Sequence, residues 1–283
     1  MSAAIEPRPI LDARTAHAPR RSRIGTYALW QLRDYFKDRG LPTVIIAVLF
    51  GYLSLMPLLA ASGVTHAKLN SAFEGDRAMA LTELAQVTSA FIHGFLGTLV
   101  FLAALFAMNG IVANDRKLGF YRFLFAKPVS PMRYYGQAFF VHWAGFLGVI
   151  TLLGLLYQLT LGPVLTWPLL LVVSTTFFCY AAIAFLLSAA ARWDWLSLVA
   201  VSVAATFLWG MYGRSTHPAA KLLYLLPPLH RTDELYRYVA GVDLTATSAP
   251  LFPSTLLLWF AGYGAASFVL GLVVLRFRRL AIV

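Results

Sequence analysis

Long stretches without charged side chains are the feature that most constrains how this chain can fold. A helix that crosses a membrane needs about 20 consecutive, mostly apolar residues. The sequence offers six such stretches, of which the fifth is the shortest, at roughly 41–61, 87–113, 135–158, 166–191, 196–212 and 254–275. Only 12% of the 283 residues are charged, about half the share found in soluble domains. The sequence therefore predicts an all-α polytopic membrane protein with six transmembrane helices.

The positions of lysine and arginine predict how these helices are oriented. Short cytoplasmic segments of membrane proteins are enriched in both residues. With a cytoplasmic N-terminus, the outer segments carry equal numbers of basic and acidic residues, and the whole net charge of +11 lies on the inner side. The outer residues are Lys68, Arg77, Arg214, Lys221, Arg231 and Arg237 against Glu74, Asp76, Glu83, Asp233, Glu234 and Asp243. Both termini are therefore predicted to be cytoplasmic, and the basic excess requires no nucleic acid as a partner.

Two different segments precede the first span. Residues 1–23 are polar, rich in Pro and Arg, and lack the apolar core of a signal peptide, so we expect a disordered cytosolic tail. Residues 24–39 have an amphipathic helical pattern that predicts an interfacial connecting helix, separated from the first span by Gly40 and Pro42. Its apolar face would hold Ile24, Tyr27, Ala28, Leu32, Tyr35 and Phe36, opposite Gln31, Arg33, Asp34, Lys37 and Asp38. A cytosolic helix that packs on a partner is the alternative.

The inner loop 114–134 is too apolar to be a simple connection between two spans. It combines five basic residues with a cluster of large apolar side chains, namely Phe120, Tyr121, Phe123, Leu124 and Phe125. Exposed aromatic side chains at this density indicate a protein or membrane surface that buries them. Pro128 and Pro131 then end the helix before the third span.

Together these parts resemble the type-2 permeases of ATP-binding cassette (ABC) transporters. The resemblance lies in their order: a connecting helix, a second span that ends in Asp115, Arg116 and Gly119, and an apolar cluster. The stretch Ala126-Lys127-Pro128-Val129-Ser130 and a Tyr before span three follow. In such permeases a short cytoplasmic helix after span two docks on the ATP-binding subunit. The resemblance implies that residues 115–127 are this coupling helix.

The resemblance also implies roles for single residues. Coupling to the ATPase would involve Asp115, Arg116, Lys117, Gly119, Phe120, Tyr121, Arg122, Phe123, Leu124 and Lys127. A helix that holds anionic membrane lipid fits the same composition and stays open. The inner turn Arg192, Trp193 and Asp194 is a candidate second contact, although its tryptophan can equally be an interface anchor. The outer segment 213–253 would form re-entrant or capping helices.

The sequence contains no ATPase of its own. It has no Gly-x-x-x-x-Gly-Lys-Ser/Thr loop, and its longest cytosolic segment, about 40 residues, is well below the usual size of a domain. The resemblance therefore implies a separate ATP-binding subunit that carries ATP and Mg, so this chain would be no enzyme and bind no cofactor itself. It also implies a second permease copy or a paralogue, in a bacterial inner membrane.

Few polar side chains fall within the predicted spans, and none of them is acidic. Asn109 and His142 lie at similar depth near the inner ends of spans two and three, so they are candidates for the transport pathway. A hydrogen bond between the two is the simpler explanation. Neither intramembrane protease motifs nor clustered metal ligands occur.

These observations predict a permease that exports a lipid, drug or peptide-like substrate. A non-transporting scaffold that passes force to a periplasmic partner is the alternative. The outer segments of only about 25 and 40 residues leave little room for an outer domain.

Overall fold

The architecture is helical throughout the part of the chain that is described. The computed structural model describes residues 24–49, 53, 66–91, 95–108, 111–112, 115, 130–161, 165–190, 195–240 and 253–277. Within these ranges no residue belongs to a strand, which confirms the predicted all-α class for them. The helices are α1 (Ile24–Tyr35), α2 (41–49), α3 (Glu74–Phe91), α4 (Gly97–Met108), α5 (Pro131–Leu161), α6 (Trp167–Ala190), α7 (Trp195–Tyr212), α8 (Thr232–Ala240) and α9 (Ser254–Phe277). Short helical turns lie at His66–Leu69, Pro218–Leu225 and Pro228–Arg231.

Three of these helices are long and apolar enough to cross a membrane. They are Pro131–Leu159 within α5, the whole of α6, and the whole of α9, with 29, 24 and 24 residues. At 1.5 Å per residue each is at least about 36 Å long, more than the hydrocarbon thickness of about 30 Å. They correspond to the predicted spans three, four and six. The chain is therefore a membrane protein.

The other three predicted spans are only partly described. Span one is described over 41–49 and at residue 53, and span two is described over 87–91, 95–108 and 111–112. Span five corresponds to α7, whose apolar part, Ser197–Tyr212, is shorter than the three long helices. The total of six spans and the side of each terminus stay predictions.

Helix α6 lies at the centre of the described helices. More than half of its residues are buried, and it packs against α4, α5 and α9. Toward α5 the rings of Phe177 and Phe146 stack with centroids 3.8 Å apart and planes 6° from parallel. Toward α9, a Cβ atom on Gly264 would meet the Phe178 ring at 2.8 Å. Small residues in α9 thus let its backbone approach α6 closely.

Helix α1 is continuous with the start of the first predicted span, which corrects the predicted break at Gly40 and Pro42. A π turn, Phe36–Gly40, joins α1 to α2, and the Leu41 N–H bonds to the Phe36 carbonyl. Pro42 has no N–H to donate, so the backbone must rearrange just before it. A π turn makes this adjustment while it keeps the chain helical.

Candidate functional site

A hydrogen bond joins Asp115, the first residue of the predicted coupling segment, to Tyr135, which lies eight residues after Lys127, the last. The Tyr135 hydroxyl, in the second turn of α5, donates to Oδ2 of Asp115 at 3.1 Å. Asp115 is half-buried, and burial raises the pKa of its carboxyl group above 3.8, an effect that the Tyr135 hydrogen bond opposes. The chain between these residues therefore begins and ends at one place on α5.

Most of the predicted coupling residues lie outside the described residues. This holds for Arg116, Lys117, Gly119, Phe120, Tyr121, Arg122, Phe123, Leu124 and Lys127. It also holds for Arg192, Trp193 and Asp194 of the candidate second contact, and for Asn109. Their roles stay predictions. Of the predicted site residues, the structure describes Asp115 and His142.

Helix α1 and the π turn pack on α5 through two aromatic side chains. The Tyr35 ring covers Gly145 so closely that a Cβ atom there would overlap it. One turn further along, the Phe36 ring would lie 3.2 Å from a Cβ atom on Gly148. Tyr35 is buried, as its place on the predicted apolar face requires. The two glycines of α5 thus form a shallow seat for the connecting helix.

Two polar side chains belong to the same contact. Gln137 Nε2 donates to Gln31 Oε1 at 3.4 Å, so Gln31 faces α5. The helical pattern had instead placed Gln31 on the polar face, away from α5. His142 Nδ1 lies 2.7 Å from the Ala138 carbonyl, and its ring meets Tyr35 edge to face at 5.2 Å. Because a carbonyl only accepts, Nδ1 carries the hydrogen. His142 therefore has a packing role between α1 and α5.

A second site is formed by residues 218–240, part of the predicted re-entrant or capping region, and we keep the name re-entrant segment for it. It consists of the helical turns Pro218–Leu225 and Pro228–Arg231, followed by α8. Pro227 precedes the second turn and Pro228 begins it, and neither has an N–H that could continue the first turn. The short helix predicted over 232–239 is present as α8, and it contacts α3, α4 and α6.

Helix α8 is attached to α6 by two pairs of hydroxyl groups. The Tyr236 and Thr176 hydroxyls are 2.9 Å apart and buried, and the Tyr180 and Thr232 hydroxyls are 3.0 Å apart. On its other side the Tyr236 ring lies 3.4 Å from where a Cβ atom of Gly97 would be. Tyr236 is thus held between α4 and α6, inside the group of long helices.

An aromatic cluster holds the preceding turn against α7 and α9. The His230 ring stacks on Trp209 of α7, with centroids 4.1 Å apart and planes 17° from parallel. Tyr224 and His230 both contact Trp259 of α9, at 6.1 and 6.3 Å between centroids. The re-entrant segment therefore contacts α4, α6, α7 and α9 at once.

The exposed face of the re-entrant segment carries two ion pairs. Arg231 donates two hydrogen bonds to Glu234, at 2.7 and 2.6 Å, and Arg237 approaches Asp233 at 2.6 Å. The charge pattern had assigned these residues to the outer side, but no sequence signal placed them beside α6. Spacings of three and four residues on a short amphipathic helix were the only available hint.

The described residues contain no group of three or more His, Cys, Asp or Glu side chains that could hold a metal ion. In comparisons with known proteins, no family model matches this chain and no curated protein is detectably similar to it.

Proposed function

We propose that this chain is the permease subunit of an ABC transporter that exports a lipid, drug or peptide-like substrate. The observation that carries the proposal is the Asp115–Tyr135 hydrogen bond, because it fixes Asp115, where the proposed 115–127 coupling segment begins, to the start of α5. A force applied to that segment by a partner would therefore act directly on a membrane helix.

The packing of α1 supports the same mechanism. Tyr35 and Phe36 sit on Gly145 and Gly148, so α1 and α5 are joined and would move as one body. Leu29 and Trp30 of α1 are 68% and 65% exposed, as expected for a helix that contacts lipid at the membrane surface. Closure of an ATP-binding subunit on the coupling segment would tilt α5 and carry the connecting helix with it.

Energy would come from outside this chain. ATP and Mg would bind the separate ATP-binding subunit, and a second permease copy or a paralogue would complete the pathway. The described residues of α4, α6, α7 and α9 include no acidic side chain, which suits an amphipathic substrate better than an ion. We place the assembly in a bacterial inner membrane, with both termini on the cytoplasmic side.

The second candidate is a membrane scaffold that passes the same motion to a periplasmic partner without transport. The re-entrant segment favours it in one respect, since α8 lies between α4 and α6 and could be moved by them. Transport requires a continuous path between the spans, and the scaffold does not.

Co-purification tests the proposal. The chain is expressed with the ATPase encoded beside its gene, and a tag on this chain is used for capture. Recovery of the ATPase with the native chain and its loss with Phe123→Asp/Leu124→Asp would support the docking role. The matched control is Ile10→Asp/Leu11→Asp, which adds the same charges to the predicted tail and should retain the ATPase. A folded native chain that never retains an ATPase would overturn the proposal.

A further inference from the structure

The re-entrant segment brings charged side chains to a level at which the neighbouring helices are apolar. Thr232 contacts the hydroxyl of Tyr180. The backbone of Tyr180 lies about 20 Å along α6 from Trp167, and its side chain points back toward the start of the helix, so the contact itself is less deep. His230 contacts Trp259, about 8 Å along α9 from Ser254. Measured from the first residues of α6 and α9, the helix positions that the segment contacts thus lie at a depth of about 8–20 Å, against a hydrocarbon core roughly 30 Å thick.

The exposed face of the re-entrant segment is charged, so contact with lipid hydrocarbon would be unfavourable at this depth. The side chains of Arg231 and Glu234 are 40% and 52% exposed, and those of Arg237 and Asp233 are 60% and 49% exposed. Charged groups in hydrocarbon are costly and face a water-filled cavity or a protein interior. Water or a protein partner must therefore cover this face.

The ion pairs favour water. Both charged groups of each pair lie within the segment, at a spacing of three or four residues. The opposite face of α8 is apolar and buried, through Leu235 and Tyr236. This is the pattern of a helix with one solvated face. A second copy would remove two satisfied pairs from water, which is unfavourable unless it supplied new partners.

We propose that the re-entrant segment forms the wall of an aqueous vestibule that enters the membrane from the side on which α7 ends and α9 begins. Arg231, Asp233, Glu234 and Arg237 line it. Polar solutes and the polar end of an amphipathic molecule could reach this depth from that side without entering hydrocarbon. The proposal stands on the geometry of the segment and does not depend on an ATPase partner.

Reaction with a charged, membrane-impermeant methanethiosulfonate tests it on the full chain in sealed vesicles. The chain's one cysteine, Cys179, is buried, so the native protein provides an unreactive background. Glu234→Cys and Arg237→Cys are the test variants. Each removes a different ion pair, so a result shared by both cannot come from the loss of one particular pair. Leu258→Cys is the matched control, because Leu258 is 70% exposed and adjacent in sequence to Trp259 at the same level.

We expect both test variants to react at least tenfold faster than Leu258→Cys, from one side of the vesicle only. Equal, fast reaction of Leu258→Cys would place this level outside the hydrocarbon and overturn the proposal. Failure of the test variants to react would overturn it as well, since lipid or a partner would then cover the segment. Disulfide-linked dimers of Glu234→Cys in the unreactive case would identify a second copy as the cover.

Discussion

The hydroxyl of Tyr135 donates to the carboxylate of Asp115 at 3.1 Å, across 20 residues of sequence. Asp115 follows the second predicted span, and Tyr135 belongs to the second turn of α5. The bond therefore brings together residues 115 and 135, which flank the rest of the predicted coupling segment. If the segment docks on a partner, as we propose, fixing its flanks would reduce the entropy that docking costs.

Tyr135→Phe should loosen this closure while it leaves the ring in its packed position. A hydrogen bond to a charged group contributes about 1.5–3 kcal/mol, so cleavage that requires an open loop should accelerate about tenfold or more. Limited trypsin digestion in detergent measures this directly, because Arg116, Lys117 and Arg122 are cleavage sites within the segment. Tyr212→Phe, at an exposed tyrosine of α7, is the control and should leave the cleavage rate unchanged.

The Asp115 carboxyl group should make stability depend on pH. Burial raises its pKa in the folded chain above 3.8, so the group contributes most below that pH and loses its contribution as pH rises through the raised pKa. As pH rises from 4 to 7.5, the melting temperature of the native chain should therefore fall relative to that of Asp115→Asn. Tyr135→Phe removes the bond that lowers this pKa and should move the transition to higher pH. A difference that is constant with pH would contradict the argument.

Gly145→Ala should separate α1 from α5. The added Cβ atom would overlap the Tyr35 ring, and overpacking of this kind costs about 1–3 kcal/mol. The matched control is Gly210→Ala, since no atom lies within 4 Å of the Cβ position there. That control should be neutral or slightly stabilising, because alanine is the better helix former.

Thermal unfolding in detergent distinguishes the two alanine variants. The double variant Tyr35→Leu/Gly145→Ala should recover part of the loss, since leucine leaves room for the new methyl group. If Gly145→Ala and Gly210→Ala unfold at the same temperature, the close contact of α1 with α5 does not exist in solution.

The long helices could be predicted from the sequence because the apolar composition of each stretch is sufficient to identify it, without any contact to another element. Charge-free stretches of 20 residues or more have one stable state in a membrane, and α5, α6 and α9 formed where the apolar composition placed them. The first half of α3 was not identified as helical, because it is polar and carries Glu74, Asp76 and Arg77. Its helical state comes from local propensity and packing, which hydropathy does not detect.

Contacts between distant elements could not be predicted from the sequence. Gly40 and Pro42 normally end a helix, and only the π turn shows how the backbone continues through them. Gln31 was assigned to solvent by helical periodicity, yet its partner is Gln137, 106 residues away. The depth of α8 similarly depends on Thr176 and Tyr180, for which the local sequence gave no indication.

The buried pair of Thr176 and Tyr236 should respond asymmetrically to substitution. Thr176 Oγ1 donates to the Val172 carbonyl at 2.8 Å, so Tyr236 is the donor in the 2.9 Å bond between the two hydroxyls. Tyr236→Phe removes the donor and leaves Thr176 satisfied, at a cost of about 0.5–1.5 kcal/mol. Thr176→Val leaves the Tyr236 hydroxyl buried without its acceptor, which costs about 1–3 kcal/mol.

A double-mutant cycle measured by unfolding in detergent separates the loss of the hydrogen bond from the cost of leaving a buried hydroxyl without a partner. Thr176→Val/Tyr236→Phe should cost less than the sum of the single variants, because no buried hydroxyl then lacks a partner. Thr206→Val is the control, since Thr206 also donates to a carbonyl in its own helix, that of Ser202 at 2.9 Å, but is exposed. A Thr176→Val variant as stable as Thr206→Val would mean that α8 is not held against α6, and the depth assigned to the re-entrant segment would be wrong.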